Sequence, residues 1–340
     1  MNKHPVVVEK TDVHAVLLPT NPPPAPARRR HHRFARAVVA VVAAVAVLLL
    51  ACAGTERYLS RTDRERFPPP GRLVSVEGTV MHLSCSGTGQ PTVLLEAGLG
   101  ESSLTWVAVQ RSLSATTRVC SYDRAGYGWS DSRDRPWTAS TAASELKSLL
   151  TAAGEPGPYV VVAHSLGSFV ARELAATQPD QVAGLVLLDP TNEVAVRTAG
   201  RPLPAIVQRK LLGALVRLGA LRWAGGRLVP ALVEAQPPGE LMSMLPMAYT
   251  SSSTGAAIAE LEGSVASAEH LSPPGRPILD DLPVTIVSAA TATEADRQHH
   301  RSLAKLSLRG THLVMASGNH YLHYTDPAQV VQIVATTAFR

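Results

Sequence analysis

The chain has 340 residues, 45% of them hydrophobic, enough for one large domain or two modest ones with a substantial core. Its formal charge of +5 is confined to one end: residues 1–36 hold seven of the 32 Lys/Arg and two of the 27 Asp/Glu, which leaves 25 of each sign elsewhere. That balanced remainder shows no interleaving of basic and aromatic residues, which argues against nucleic acid as a partner.

In chain order, residues 1–36 are Pro- and Arg-rich without periodicity and are expected to be a disordered basic tail. "AVVAVVAAVAVLLLACA", Ala37 to Ala53, is a run of 17 uncharged residues. At 1.5 Å per residue it reaches about 26 Å, the short end of a bilayer span. A buried core helix, a cleaved signal peptide and a lipoprotein acylated at Cys52 are its rival readings. An uncleaved membrane anchor over residues 37–54 is preferred, because "RRRHHRFAR" abuts one end. The positive-inside rule then leaves residues 1–36 in the cytoplasm and everything beyond Tyr58 outside. Signal cleavage would instead release a secreted or lipid-anchored domain. Residues 55–70, "ERYLSRTDRERFPPPG" near their core, read as a charged, proline-stiffened stalk that lifts a domain off the membrane.

From Arg72 the texture alternates. "RLVSVEG" and "TVMHLSC" are strands joined by a hairpin near Gly78, and "PTVLLEAG" is a third. "SSLTWVAVQRSLSA" has helical spacing, "TRVCSYD" is a strand, and "TASTAASELKSLLTAAG" is a helix closed by Gly154. Then come the strand "YVVVAHS", the helix "LGSFVARELAATQ" and the strand "GLVLLDP". Near the end stand "PVTIVSA", a helix around "EADRQHHRSLAKLS", the strand "THLVMAS" and the helix "DPAQVVQIVATTAF". Eight strands, the later ones alternating with helices, predict an α/β fold with a mostly parallel sheet covered on both faces. The core comprises residues 71–191 and 281–340. Residues 192–280, without a good strand, are expected as a helical cap, with Leu241, Met242, Met244 and Met247 lining an apolar pocket or simply filling its core.

"YVVVAHSLGSFVAREL" places a serine at the apex of a strand–turn–helix, the arrangement of a nucleophile elbow. Small residues are required two positions either side, and Ala163 and Gly167 occupy them. Ser165 is the expected nucleophile. It needs a base to take its proton and a carboxylate to orient that base. His320, in "SGNHYLH" just past the last strand, is the expected base, with His323 structural and His312 inside the strand. The acid is Asp189, which ends "GLVLLDP", or alternatively Glu294 or Asp296 after the seventh strand. The oxyanion hole is expected from the backbone N–H groups of Leu166 and of Leu99, between Gly98 and Gly100. Gly98, His164 and Trp129 are candidate substrate contacts. Asp123 and Arg124 are expected to shape the loop after the fourth strand, and Glu96 to orient a neighbouring loop. His299, His300, His320 and His323 lack the spacing of a zinc site, so neither metal nor cofactor is expected.

"EAGLGESSLTW", "VCSYDRAGYGWSD", "AHSLGS", "LVLLDP" and "GNHYLH" together resemble the α/β-hydrolase superfamily, matched from about Arg72 to the C-terminus except in the cap. The chain is similar to bacterial serine hydrolases of that superfamily with an N-terminal membrane anchor. It departs from them at Ala97, where many members have His, at Ala163 in place of Gly, and in lacking the usual seventh-strand Asp. The resemblance implies a carboxylesterase- or lipase-like enzyme acting on a small-molecule ester or lipid-like substrate. Amidase, peptidase, thioesterase and cofactor-free perhydrolase activity share the scaffold, as does a catalytically silent ligand-binding domain. Epoxide hydrolases and haloalkane dehalogenases are disfavoured, because Ser165 stands where they carry Asp. The strand order implied by the resemblance also makes the strands of Cys85 and Cys120 antiparallel neighbours, so these two either form a disulfide or remain two buried thiols.

Overall fold

The computed structural model of the chain describes residues 28–220, 222, 245–271 and 279–338. Leu241, Met242 and Met244 lie outside them. The first helix, α1, runs Arg28–Arg66. It is long and apolar enough to cross a membrane, and Val39, Val47 and Leu50 on it are exposed. Among the described residues, those up to Leu49 fall in one unit and those from Leu50 onward in a second.

Within the second unit, residues 55–70 are not a free spacer. Their charged half continues the helix, and Arg222 reaches Glu56 at 2.9 Å and Asp63 at 2.7 Å. Beyond the helix, the Phe67 carbonyl accepts from the Trp129 indole at 2.9 Å, and the Pro70 carbonyl lies 2.6 Å from His82 Nε2. The segment is strapped to the domain by backbone carbonyls that prolines and a helix end leave without helical partners.

Eight strands form one sheet in the order β1-β2-β4-β3-β5-β6-β7-β8. They are β1 (Arg72–Val76), β2 (Thr79–Ser86), β3 (Thr92–Glu96), β4 (Val119–Tyr122), β5 (Tyr159–His164), β6 (Val182–Leu188), β7 (Val284–Ser288) and β8 (Gly310–Val314). Only β2 runs antiparallel to its neighbours. The β1–β2 turn pairs Val76 with Thr79 and holds Glu77 and Gly78 at φ 51° and 80°, the two positive-φ positions of a type I′ hairpin.

β3, β5 and most of β6 are buried on both faces, which is why they read as near-continuous apolar runs. The period of two still sorts their side chains. Tyr159, Val161 and Ala163 of β5 join one core with the helices α3 (Ala139–Ala153) and α4 (Gly167–Thr177). Val160 and Val162 join the opposite core with Trp106 and Val109, Val109 lying on α2 (Val107–Leu113), and with Val330 and Val334 of the final helix, Pro327–Ala338. α3 starts on a Thr138–Thr141 capping box, which satisfies amides that a helix start leaves free. The described parts of the expected cap are helical: α5 (Glu193–Ala199), α6 (Leu203–Arg217), a short turn at Leu245–Ala248, and α7 (Ser251–Leu271).

Cys85 and Cys120 face each other across β2 and β4 and are joined by a disulfide. The two cysteines lie 35 residues apart in sequence, and closing a loop of that length is worth about 3–4 kcal/mol through the unfolded chain. Replacing both cysteines by alanine is expected to lower the unfolding free energy by that amount and to raise the urea m-value, because the uncrosslinked chain expands further. An unchanged unfolding free energy would show the bond to be energetically idle.

Candidate active site

Ser165 occupies the tight turn between β5 and α4. Its φ of 48° is a left-handed conformation that a non-glycine residue adopts only when its surroundings enforce it. Here they do: the Ser165 amide donates to the Leu188 carbonyl at 3.0 Å, and the Ser165 carbonyl accepts from the Thr191 amide at 3.2 Å. The small residue two positions on is required by close approach. A Cβ on Gly167 would stand 2.5 Å from the Ala97 carbonyl oxygen and 2.9 Å from Glu96 Cγ.

The three expected side chains meet beyond the carboxyl ends of their strands. His320 Nε2 lies 3.0 Å from Ser165 Oγ, and His320 Nδ1 lies 2.7 Å from Asp189 Oδ2. Asp189, itself at φ 41°, also accepts from the Ala289 amide through Oδ1 at 2.9 Å. Burial pushes the Asp189 carboxyl up, but the His320 and Ala289 hydrogen bonds outweigh it and hold the group below its ordinary range. Neither alternative acid touches His320. Glu294 is exposed and paired with Arg301, while Asp296 accepts from Asn192 at 3.3 Å and from Thr293 at 2.6 Å.

Among the described residues, no hydrogen bond takes up the amides of Leu99 or Leu166. The loop bearing Leu99 is held from below by Arg124. Its guanidinium donates to the Ala97 carbonyl at 2.6 Å and the Gly98 carbonyl at 2.7 Å, and pairs with Glu96 at 2.5 Å and with Glu260 of α7 at 2.7 Å. Tyr127 also donates to Glu260, at 2.7 Å. Burial raises the Glu96 carboxyl, even against Arg124. Arg124 and Glu96, expected as loop shapers, thus join the loop bearing Leu99 to α7 through a buried charge cluster. Asp123 does the work anticipated for it, accepting from the Ser103 amide at 2.7 Å and the Trp129 amide at 3.1 Å.

Two of the candidate substrate contacts, His164 and Gly98, are hydrogen-bonded within the protein. His164 is 1% exposed, with Nδ1 2.8 Å from Glu101 Oε2 and Nε2 2.9 Å from the His320 carbonyl oxygen. It has no polar atom left for a substrate. The Gly98 amide donates to Glu101 Oε2 at 2.7 Å, so it too is engaged within the protein. Trp129 sits in a separate cluster with Leu104 and Met247, its ring 4.9 Å from that of His82. The histidines considered as zinc ligands do not converge: His299 lies 2.7 Å from Glu193, and His300 bonds Ser288 at 2.7 Å and the Pro190 carbonyl at 2.9 Å. Glu101 went unread in the sequence. Its only signal is a carboxylate three residues beyond Gly98, in a segment that ends among buried residues.

An eight-stranded sheet with one antiparallel strand, a serine elbow after β5 and a histidine after β8 defines an α/β-hydrolase architecture. Residues 93–333 match the model of the alpha/beta hydrolase family, and the chain belongs to that family. Among curated proteins it is similar to "Uncharacterized protein YqjL" of Bacillus subtilis (strain 168), 35% identical over 120 residues, which are 35% of this chain and 47% of that protein. It is also similar to "Lipase LipV" of Mycobacterium tuberculosis, 40% identical over 111 residues, 32% of this chain and 41% of that protein. The chain thus spans less than half the length of either relative. The enol-lactonase from Burkholderia xenovorans LB400 superposes with a TM-score of 0.61 at 18% identity, over 79% of this chain and 100% of that one, a likeness of fold.

Proposed function

We propose that the chain is a membrane-anchored serine hydrolase that cleaves an ester or related acyl bond in a small or lipid-like substrate. The observation that carries this reading is the chain of contacts from Ser165 Oγ through His320 to Asp189, at 3.0 and 2.7 Å. Ser165 Oγ attacks the carbonyl carbon while its proton passes to His320 Nε2, and Asp189 stabilises the resulting imidazolium. The tetrahedral oxyanion is held by the Leu99 and Leu166 amides, which no other group engages among the described residues. Collapse breaks the bond to the leaving alcohol, which takes the proton from His320. Water, deprotonated by the same imidazole, then releases the acid and regenerates Ser165. The lipase named among the relatives supports an acyl substrate.

The exposed apolar face of α1 supports insertion of this helix into a membrane, since such a surface is stable only when covered. Its basic N-terminal flank favours the cytoplasmic side, which leaves the domain outside, where the Cys85–Cys120 bond persists. One experiment tests activity and orientation together. A fluorophosphonate that cannot cross membranes is expected to label intact cells at Ser165. Labelling by a permeant probe only would place the domain inside. Failure of both probes on folded protein would mean a silent binding domain.

A further inference from the structure

Beneath the triad lies a buried group that the mechanism above does not use. Glu101 Oε2 accepts from the Gly98 amide at 2.7 Å and lies 2.8 Å from His164 Nδ1, while Oε1 stands 3.4 Å from His323 Nε2. His164 Nε2 is 2.9 Å from the carbonyl oxygen of His320, the expected base. We propose that Glu101 is a positioning residue that sets both the base-bearing loop, through His164, and the oxyanion loop, through Gly98. The proposal rests on the Ser165–His320–Asp189 reading and extends it to what holds two of its parts in place.

A carbonyl only accepts, so His164 Nε2 carries a hydrogen and donates it to the His320 carbonyl. Nδ1 faces Glu101 Oε2 at 2.8 Å, so both ring nitrogens are engaged. Burial pushes the Glu101 carboxyl up, but the neighbouring His164 and His323 outweigh it and hold the group well below the carboxylate range. Leu99 follows Gly98 directly, so the position of its amide depends on where the Gly98 amide is held. A Cβ on Gly98 would stand 2.7 Å from both Glu101 Oε2 and His164 Nδ1, so the loop is packed directly on the pair. The titratable groups around the pair are His320, Tyr321, His323 and Tyr324 of the last loop, with Tyr249 and Arg209 from the cap.

Glu101→Gln keeps the shape of the side chain but removes the negative charge that the Gly98 amide and His164 Nδ1 both face. Glu101→Asp keeps the charge but is one methylene shorter, so it cannot reach both partners from the same backbone position.

The test measures kcat and KM of the full-length protein for a p-nitrophenyl ester. In Glu101→Gln, kcat is expected to fall by about 10–100-fold, the loss that a small misplacement of catalytic groups causes. KM should change little. Glu101→Asp should recover part of the loss, since it keeps the charge. A kcat for Glu101→Gln equal to wild type, or a loss that falls on KM instead of kcat, would overturn the proposal. If Glu101→Gln does not accumulate as folded protein, Glu101→Asp carries the test, and wild-type kcat in that variant would overturn it. Absence of fluorophosphonate labelling in the wild type would instead mark failure of the underlying triad.

Discussion

Ser165→Ala and His320→Ala are each expected to cut turnover of a p-nitrophenyl ester by at least about three orders of magnitude, with the fold intact. The size follows from the two groups acting as one device: without the hydroxyl there is no acyl-enzyme, and without the imidazole the hydroxyl keeps its proton. The 3.0 Å contact between His320 Nε2 and Ser165 Oγ is already within proton-transfer range in the free protein. For the same reason the double variant should be hardly worse than either single one, since nothing is left for the second substitution to remove. Stability should hardly change, because both side chains are only half-buried and neither fills the core. Folded Ser165→Ala retaining more than a few per cent of wild-type kcat would rule out the acyl-enzyme mechanism.

The sheet was legible because its central strands are buried on both faces, and double burial leaves long Val/Leu runs such as "YVVVAH" with little else they can form. The elbow was legible because a hydroxyl at the end of such a run, flanked by Ala163 and Gly167, makes little sense as core. Asp189 was harder. Nothing local to "LLDP" separates a triad acid from a turn former before Pro190, and only the adjacency of β6 and β7 brings it to His320. The inward pairing of His164 was not legible, because its neighbour in sequence is the expected nucleophile, whereas its ring turns inward to Glu101, 63 residues away. Long-range polar pairs of that kind leave no periodic trace. The stalk was read from composition alone, and composition does not reveal that its carbonyls find His82 and Trp129.

Asp189→Asn is expected to lower kcat by about four orders of magnitude, while Glu294→Gln and Asp296→Asn stay close to wild type. The argument turns on a tautomer. The introduced asparagine can still accept from the Ala289 amide through its oxygen, as Asp189 Oδ1 does at 2.9 Å. Its nitrogen would then face His320 Nδ1 and donate to it. The imidazole would be forced to carry its hydrogen on Nε2, pointing at Ser165, and could no longer take the serine proton. The left-handed backbone at this position, φ 41°, suits Asn as well as Asp, so the loss should be kinetic rather than structural. The wild-type carboxyl is held below its ordinary range, so its stabilising contribution is present above the unfolded carboxylate pKa and is lost only as pH falls through the lowered value. Asp189 therefore stays ionised through the neutral range. Full activity in Asp189→Asn together with a large loss in Glu294→Gln or Asp296→Asn would move the acid to the loop after β7.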